Sequence, residues 1–180
     1  MSTRTNFVKG ACALAEETDW ETVYKEYLPR VYNFFRYRVN NESIVEDLTA
    51  ATFEKAWRGR SRFRRDLSAF STWLFTIARN VAADHFRGTE QNISLEAIHE
   101  QADPVSLEET VQRKQDFAWL SALLGQLPAR ERELVAFKYG AGLNNREIAR
   151  LTRLSESNVG TILNRTMEKL RNGIKANDER

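Results

Sequence analysis

Apolar side chains recur three and four positions apart along nearly the whole chain, and this spacing constrains the fold more than any other feature. Steps of three and four place side chains on one face of an α-helix, whereas a strand face needs every second residue. Tyr24, Leu28, Val31, Tyr32 and Phe35 form one stripe. Leu48, Phe53, Ala56 and Trp57 form a second, and Phe70, Trp73, Leu74, Ile77, Ala78 and Val81 a third. Runs of β-branched residues are short, and only 8 Gly and 3 Pro punctuate 180 residues. The expectation is an all-α protein whose first 88 residues form a bundle of three or more helices. With 10 Phe, 4 Trp and 5 Tyr there is bulk for two small cores.

A composition break divides the chain. Thr89 to Thr110 contains no Lys or Arg, carries Glu90, Glu96, Glu100, Asp103, Glu108 and Glu109, and holds Pro104 near its middle. Such a segment reads as an acidic linker, helical at most in its last few residues. The predicted organisation is an N-terminal tail over 1–18, a helical domain over 19–88, a flexible acidic linker over 89–106 and a second helical domain over 107–176. The single cysteine, Cys12, excludes an intrachain disulfide and any paired-cysteine metal spacing. The tail lacks a signal-peptide pattern, and no apolar run reaches the roughly 20 residues of a membrane span. The expected setting is reducing and cytoplasmic, without membrane insertion.

After the linker the helical period resumes. Val111, Phe117, Leu120, Leu123, Leu124 and Leu127 make a stripe that ends at Pro128, a residue favoured in the first turn of a following helix. That helix carries Leu134, Val135 and Phe137, and Gly140 and Gly142 punctuate its end. Asn144 and Glu147 have capping-box spacing, which starts a helix predicted over Asn145–Thr152. A short turn at Arg153 and Leu154 leads to Ser155 as the N-cap of a last helix, from Glu156 to about Gly173. Ile148, Ala149 and Leu151 face inward from the first of these helices; Val159, Ile162, Leu163 and Leu170 do so from the second. Two short helices around a tight turn match a helix-turn-helix. Its outward face carries Glu156, Ser157, Asn158, Thr161, Asn164, Arg165 and Lys169, with short polar groups for base edges and Arg165 and Lys169 for phosphates or a guanine. A helical hairpin for protein contact, its polar face merely solvated, is the alternative.

In the N-terminal domain, the window Lys55–Arg65 holds Lys55, Arg58, Arg60, Arg62, Arg64 and Arg65 and no acid. It suits a phosphate backbone, or is a solvated basic loop. The segment that follows sets aromatics beside cations and amides, the mixture that accommodates unstacked single-stranded bases. A core helix would also hold Phe70, Trp73 and Phe75.

Three motifs, in order around the acidic linker, resemble the extracytoplasmic-function sigma factors of bacterial RNA polymerase. FSTWLFTIARNVAADH over Phe70–His85 resembles their promoter-melting segment, and VEDLTAATFEKAW over Val45–Trp57 their core-polymerase-binding helix. LPAREREL over Leu127–Leu134 and GLNNREIA over Gly142–Ala149 resemble their second DNA-binding domain. The resemblance spans about Asp19 to Ile174. It implies that Asp47, Leu48 and Phe53 dock the polymerase clamp helices, and that the C-terminal domain meets the flap. It implies that Ser68, Ala69 and Phe70 line the loop capturing a flipped base of the −10 element, with Trp73, Asn80 and Asp84 beside that strand and Arg79 and Arg87 on phosphates. Ser157, Asn158, Thr161, Asn164, Arg165 and Lys169 would face the −35 element. The implied partners are core RNA polymerase, promoter DNA and an anti-sigma protein; no cofactor or metal is implied. Departures are visible. Ala50 and Ala51 stand where the family carries Gln and an acid, and Gly160, Ile162 and Met167 where Lys or Arg is common. Arg153 occupies a turn position often held by Gly, and Gly160 lowers helix propensity by about 1 kcal/mol relative to Ala.

Other function classes are weaker fits. A regulator with a sensing N-terminal bundle would keep the helix-turn-helix but leave the Phe70–His85 segment unexplained. A nuclease needs clustered acids for metal ions, and no His joins Glu46 and Asp47; His85 and His99 lie far apart in the chain. No enzymatic activity is expected.

Overall fold

The computed structural model describes residues 20–63, 69–93, 118–119 and 121–178, and these contain helices and turns but no strand. The N-terminal tail, Ser68, Arg64, Arg65 and most of the acidic linker, with Val111, Phe117 and Leu120, lie outside the described residues.

Helix α1 (Trp20–Arg36) has Glu21 in its first turn and Arg36 in its last, signs that complement the helix dipole. Helix α2 (Glu42–Gly59) starts at Asn41, whose side chain accepts from the Ile44 N–H at 3.1 Å. Helix α3 is Phe70–Ile93. It continues past Gly88 to Ile93, so the stretch read as an acidic linker is helical at its start and not only in its last few residues. Thr89, Glu90, Gln91 and Asn92 lack positive charge, but none of them breaks a helix. A net-charge change and a backbone change need not coincide.

In the C-terminal region, Pro128 is the N-cap residue of α4 (Ala129–Val135), in keeping with its predicted place at a helix start. The chain then widens into a π-helical turn over Ala136–Gly140, in which the Ala141 N–H reaches back to the Ala136 carbonyl at 2.9 Å. Gly142 follows at φ 66°, a conformation that favours glycine. Helix α5 (Asn145–Thr152) opens with the complete capping box: Asn144 accepts from the Glu147 N–H at 2.9 Å, and the Glu147 carboxylate accepts from the Asn144 N–H at 2.9 Å. Arg153 ends it in the left-handed region at φ 57° and ψ 36°. Helix α6 spans Glu156–Asp178, longer than its apolar stripe predicted.

The stripes hold in part. Val31, Phe35, Leu74, Ala78, Val81, Ile148, Leu151, Val159, Leu163 and Leu170 are buried. Tyr24 and Trp57 are not, at 47% and 50% exposed, although periodicity placed both inward. Phe34 and Phe75, each next to a stripe, are fully buried instead. The reason is that the two regions share one core. Phe137, from the π turn, stacks on Phe34 with ring centroids 4.8 Å apart at 24°, and meets Phe75 edge-on at 6.4 Å. Gly140 lies so close to α1 that a Cβ there would stand 2.8 Å from the Asn33 carbonyl oxygen. Arg30 donates from Nε to the Ala141 carbonyl at 2.8 Å while its guanidinium lies over the Tyr27 ring. The widened turn therefore directs a ring, a bare backbone and a carbonyl at the N-terminal bundle.

Candidate nucleic-acid interface

Helix α2 separates its roles by angle. Consecutive helical residues point about 100° apart, so neighbours in sequence can face core and solvent. Asp47 is exposed on the side that also carries Glu42, Glu46, Ala50 and Glu54. Leu48 and Phe53, which the resemblance implied as docking contacts, are 8% and 9% exposed and belong to the core. They lie beneath the exposed acids of α2. Thr49 and Thr52 are buried beside them, and their hydroxyls donate to the Val45 and Leu48 carbonyls at 2.7 and 2.8 Å.

Between α2 and α3 lies a cleft of about 430 Å³ lined by Lys55, Ile77, Asn80, Ala83, Asp84 and Arg87. Three of the residues implied for the −10 strand thus meet at one site: Asn80, Asp84 and Arg87. Ile77 and Ala83 give an apolar wall, Asn80 an amide with donors and an acceptor, and Lys55 and Arg87 cations at the rim. Lys55 Nζ stands 3.4 Å from Asp84 Oδ2, and Arg87 donates to Asp84 Oδ1. Hydrogen bonds from Arg87 and then Lys55 hold the Asp84 carboxyl below the usual carboxylate range. Asp84 therefore organises two cations more directly than it offers itself to DNA. Lys55 was read only as part of a basic run; its partnership across α2 and α3 has no local sequence signal.

At the N-terminus of α3, Phe70 is the hub of a partly exposed aromatic group. Its ring lies 5.2 Å from Tyr27, 5.3 Å from Phe63, 5.4 Å from Trp73 and 6.0 Å from Trp20. Neither Phe70 nor Trp73 is fully buried, unlike Phe75. Ala69 is exposed just before them, and Ser68 lies outside the described residues. Trp57 sits at one edge of this group, 5.4 Å from Trp20, with the Arg60 guanidinium 3.9 Å over its ring.

Arg79, the remaining implied −10 contact, does not face the cleft. Its guanidinium donates to both Glu133 carboxylate oxygens, at 3.0 and 3.4 Å, and to the Leu151 carbonyl at 2.8 Å. Glu133 also stands 3.6 Å from Arg38, whose burial lowers its pKa while Glu133 opposes that shift. Ser71 on α3 donates to Glu147 at 2.6 Å, tying α3 to the cap of α5. None of these cross-region partners was predicted.

The outer face of α6 agrees with the sequence reading. Ser157, Asn158, Thr161, Asn164, Arg165 and Lys169 are all exposed. Ser155 accepts from the Asn158 N–H at 3.2 Å, which fixes the first turn. Lys169 reaches Glu131 at 2.9 and 3.1 Å, and that bond is the main cause of a lowered Glu131 pKa. Among the described residues there is no group of His, Cys, Asp and Glu able to hold a metal, and no helix long and apolar enough to cross a membrane.

Two family descriptions match the chain: Sigma-70 region 2 over residues 23–91 and Sigma-70 region 4 over residues 117–170. The sigma factor CarQ of Myxococcus xanthus is 30% identical over 152 residues, covering 84% of this chain and 87% of CarQ. The ECF sigma factor BldN of Streptomyces coelicolor is 31% identical over 162 residues, which cover 88% of this chain; the chain spans 61% of BldN's length. The fold is also that of the sigma factor RpoE solved with the anti-sigma factor NepR from Bartonella quintana, at a TM-score of 0.71 and 20% identity, over 87% of this chain and 97% of RpoE. Matched in both regions, and in sequence over most of CarQ, the chain belongs to the extracytoplasmic-function sigma factors of bacterial RNA polymerase.

Proposed function

We propose that this chain is an alternative sigma factor that binds core RNA polymerase and directs promoter-specific initiation, its N-terminal region reading the −10 element and its helix-turn-helix the −35 element. The observation that carries this reading is the cleft between α2 and α3. It combines an apolar wall, the Asn80 amide and two cations, on the same helix α3 that carries the Phe70 aromatic group at its start. A flipped base needs a stacking surface and hydrogen bonds to offset a few kcal/mol of unstacking. Asn80, Arg87 and Lys55, with Ser68, Ala69, Phe70 and Trp73, form the −10 site. Asp84 positions the rim cations. Ser157, Asn158, Thr161, Asn164, Arg165 and Lys169 form the −35 site. Asp47, with the exposed acids of α2, meets the polymerase clamp helices, and the C-terminal region meets the flap. The corresponding functional units are 19–88 and 107–176, joined over 89–106, and the protein acts in the cytoplasm without catalysing a reaction of its own.

An anti-sigma protein is a further proposed partner. RpoE was solved with NepR, and CnrH, at 22% identity and a TM-score of 0.63, with the cytosolic domain of CnrY. Co-purification with core polymerase and run-off transcription from matched promoters test the function. The expected result is a transcript that requires both the chain and a −10 element. A folded chain that binds duplex DNA yet neither joins polymerase nor supports a transcript would instead be a repressor-type regulator.

A further inference from the structure

Trp57 lies on the apolar stripe of α2, yet about half of it is exposed, and the −10 and −35 sites proposed above leave it unused. Two neighbours fix its ring. Trp20 meets it edge-on, with centroids 5.4 Å apart at 83°. The Arg60 guanidinium lies 3.9 Å over it and donates to the Trp57 carbonyl at 2.8 Å, so the cation is stacked and tethered at once. Lys55 and Arg58, from the same basic run, face Asp84 and Glu54, whereas Arg60 faces no carboxylate among the described residues. The pair is also continuous with the proposed −10 site. Along α3 the cleft residues Arg87, Asp84, Asn80 and Ile77 lead in order to Trp73 and Phe70. Ring contacts then carry the line on, from Phe70 to Trp20 at 6.0 Å and from Trp20 to Trp57.

We infer that Trp57 and Arg60 form a second stacking site for single-stranded DNA, one that holds a base just outside the −10 element. The inference rests on the promoter-reading role proposed for α3. A guanidinium is flat and can carry a ring on each face, so a base laid on the outer face of Arg60 completes a stack of base, cation and indole. The N–H donors at the edge of Arg60 then point toward the adjoining phosphate. Every base has a π-face, and nothing in this pair reads base edges, so the contact is indifferent to sequence. The two sites divide the work. The cleft discriminates between bases, and the Trp57–Arg60 pair stabilises whichever base is unstacked next to it.

The full chain is titrated with a fluorescent single strand carrying the −10 element, and with the same strand lengthened by two nucleotides at one end or the other. One of the two extensions is expected to tighten binding roughly tenfold, whatever bases it carries. Trp57→Leu keeps apolar bulk against Trp20 and should remove that gain while leaving affinity for the short strand unchanged. Trp57→Phe should retain most of the gain. Arg60→Gln alters an exposed side chain and leaves the apolar group untouched. It should reduce the gain and flatten the salt slope of the longer strand alone by about 0.7. A fluorescent base analogue in the extension should be quenched by the parent and not by Trp57→Leu. Equal losses on short and long strands, or no gain from either extension, overturn the inference. So does a Trp57→Leu chain that keeps the gain but no longer co-purifies with core polymerase, which would make this surface a protein contact. Run-off transcription separates this from the promoter reading. Normal transcripts beside a gain that ignores Trp57 and Arg60 sink only the stacking site. No transcript from the parent, beside a gain that depends on both residues, sinks only the promoter reading.

Discussion

The two proposed DNA surfaces fail to be ready for DNA in opposite ways. The N-terminal one is rich in charge, but its charges are engaged: Arg79 by Glu133, and Lys55 and Arg87 by Asp84. The C-terminal one is open along the outer face of α6 but short of cations, and Lys169, one of its two, reaches Glu131. A census of Lys and Arg along the sequence cannot distinguish these conditions. What matters is which anion a cation already faces, and how that anion is held in place. In the N-terminal region it is held by a shared aromatic core; in the C-terminal region, by a local bond between α4 and α6.

The largest expected effect comes from removing that shared core. Phe137→Ala deletes a fully buried ring that contacts Phe34 and Phe75, and truncations of this kind destabilise by about 3–5 kcal/mol. Urea unfolding followed by tryptophan fluorescence should show a lower midpoint and two separated transitions, because the regions lose their common packing. A single transition with an unshifted midpoint would mean that coverage of Arg79 does not depend on this contact.

Next in size is the cleft. Asn80→Ala leaves the charges in place but removes the amide that lines it. A hydrogen-bonded base contact is worth about 1–3 kcal/mol of discrimination. Promoter opening by the holoenzyme should fall roughly tenfold, and the fall should depend on the −10 sequence. A loss equal on all −10 sequences would make Asn80 a structural residue of α3.

Asp84→Asn should act in the opposite direction. It releases Lys55 and Arg87 toward the strand, so single-strand affinity should rise a few-fold at low salt and converge with the parent at high salt. Acid cannot substitute for the variant near neutral pH. The folded pKa of Asp84 is depressed, so its pairing is fully present above the ordinary carboxylate range and is lost only as pH falls through the lowered folded value. A drop in affinity on Asp84→Asn would show that the carboxylate contacts a base and does not merely hold the rim.

How much of this was legible in the sequence follows the range of the interactions. The capping box at Asn144 and Glu147, the bounds of α5 and the left-handed Arg153 are set within a few residues, and the sequence signals them directly. So is the exposed face of α6. The π turn is not legible, because Phe137 and Gly140 look like an ordinary helix end until α1 is brought against them. Phe34 and Phe75 fall off the stripes because their partner is a ring far along the chain. Leu48 and Phe53 are a different case: the motif names them as docking residues but does not set their exposure, which follows from how α2 packs and leaves both beneath its exposed acids. Lys55, Glu133 and Glu131 were invisible as partners since an ion pair between helices leaves no pattern in either one.

The smallest effect tests the other half of the comparison. If α6 anchors with few charges, binding of a −35 duplex by the chain should depend weakly on salt. Each neutralised phosphate contributes about −0.9 to the slope of log affinity against log salt, so Arg165, with Lys169 held by Glu131, predicts a slope of roughly −1, and a released Lys169 would bring it to roughly −2. Arg165→Gln should flatten that slope by about 1 and weaken binding on all sequences alike, as loss of a phosphate contact does. Glu131→Gln should do the reverse, since it releases Lys169 from the bond that now holds it beside α4. A parent slope several times steeper would mean that cations beyond the outer face of α6, such as Arg146, Arg150 or Arg153, carry the duplex. The contrast between a charged, engaged surface and an open, weakly charged one would then reduce to a difference in which helix faces the phosphates.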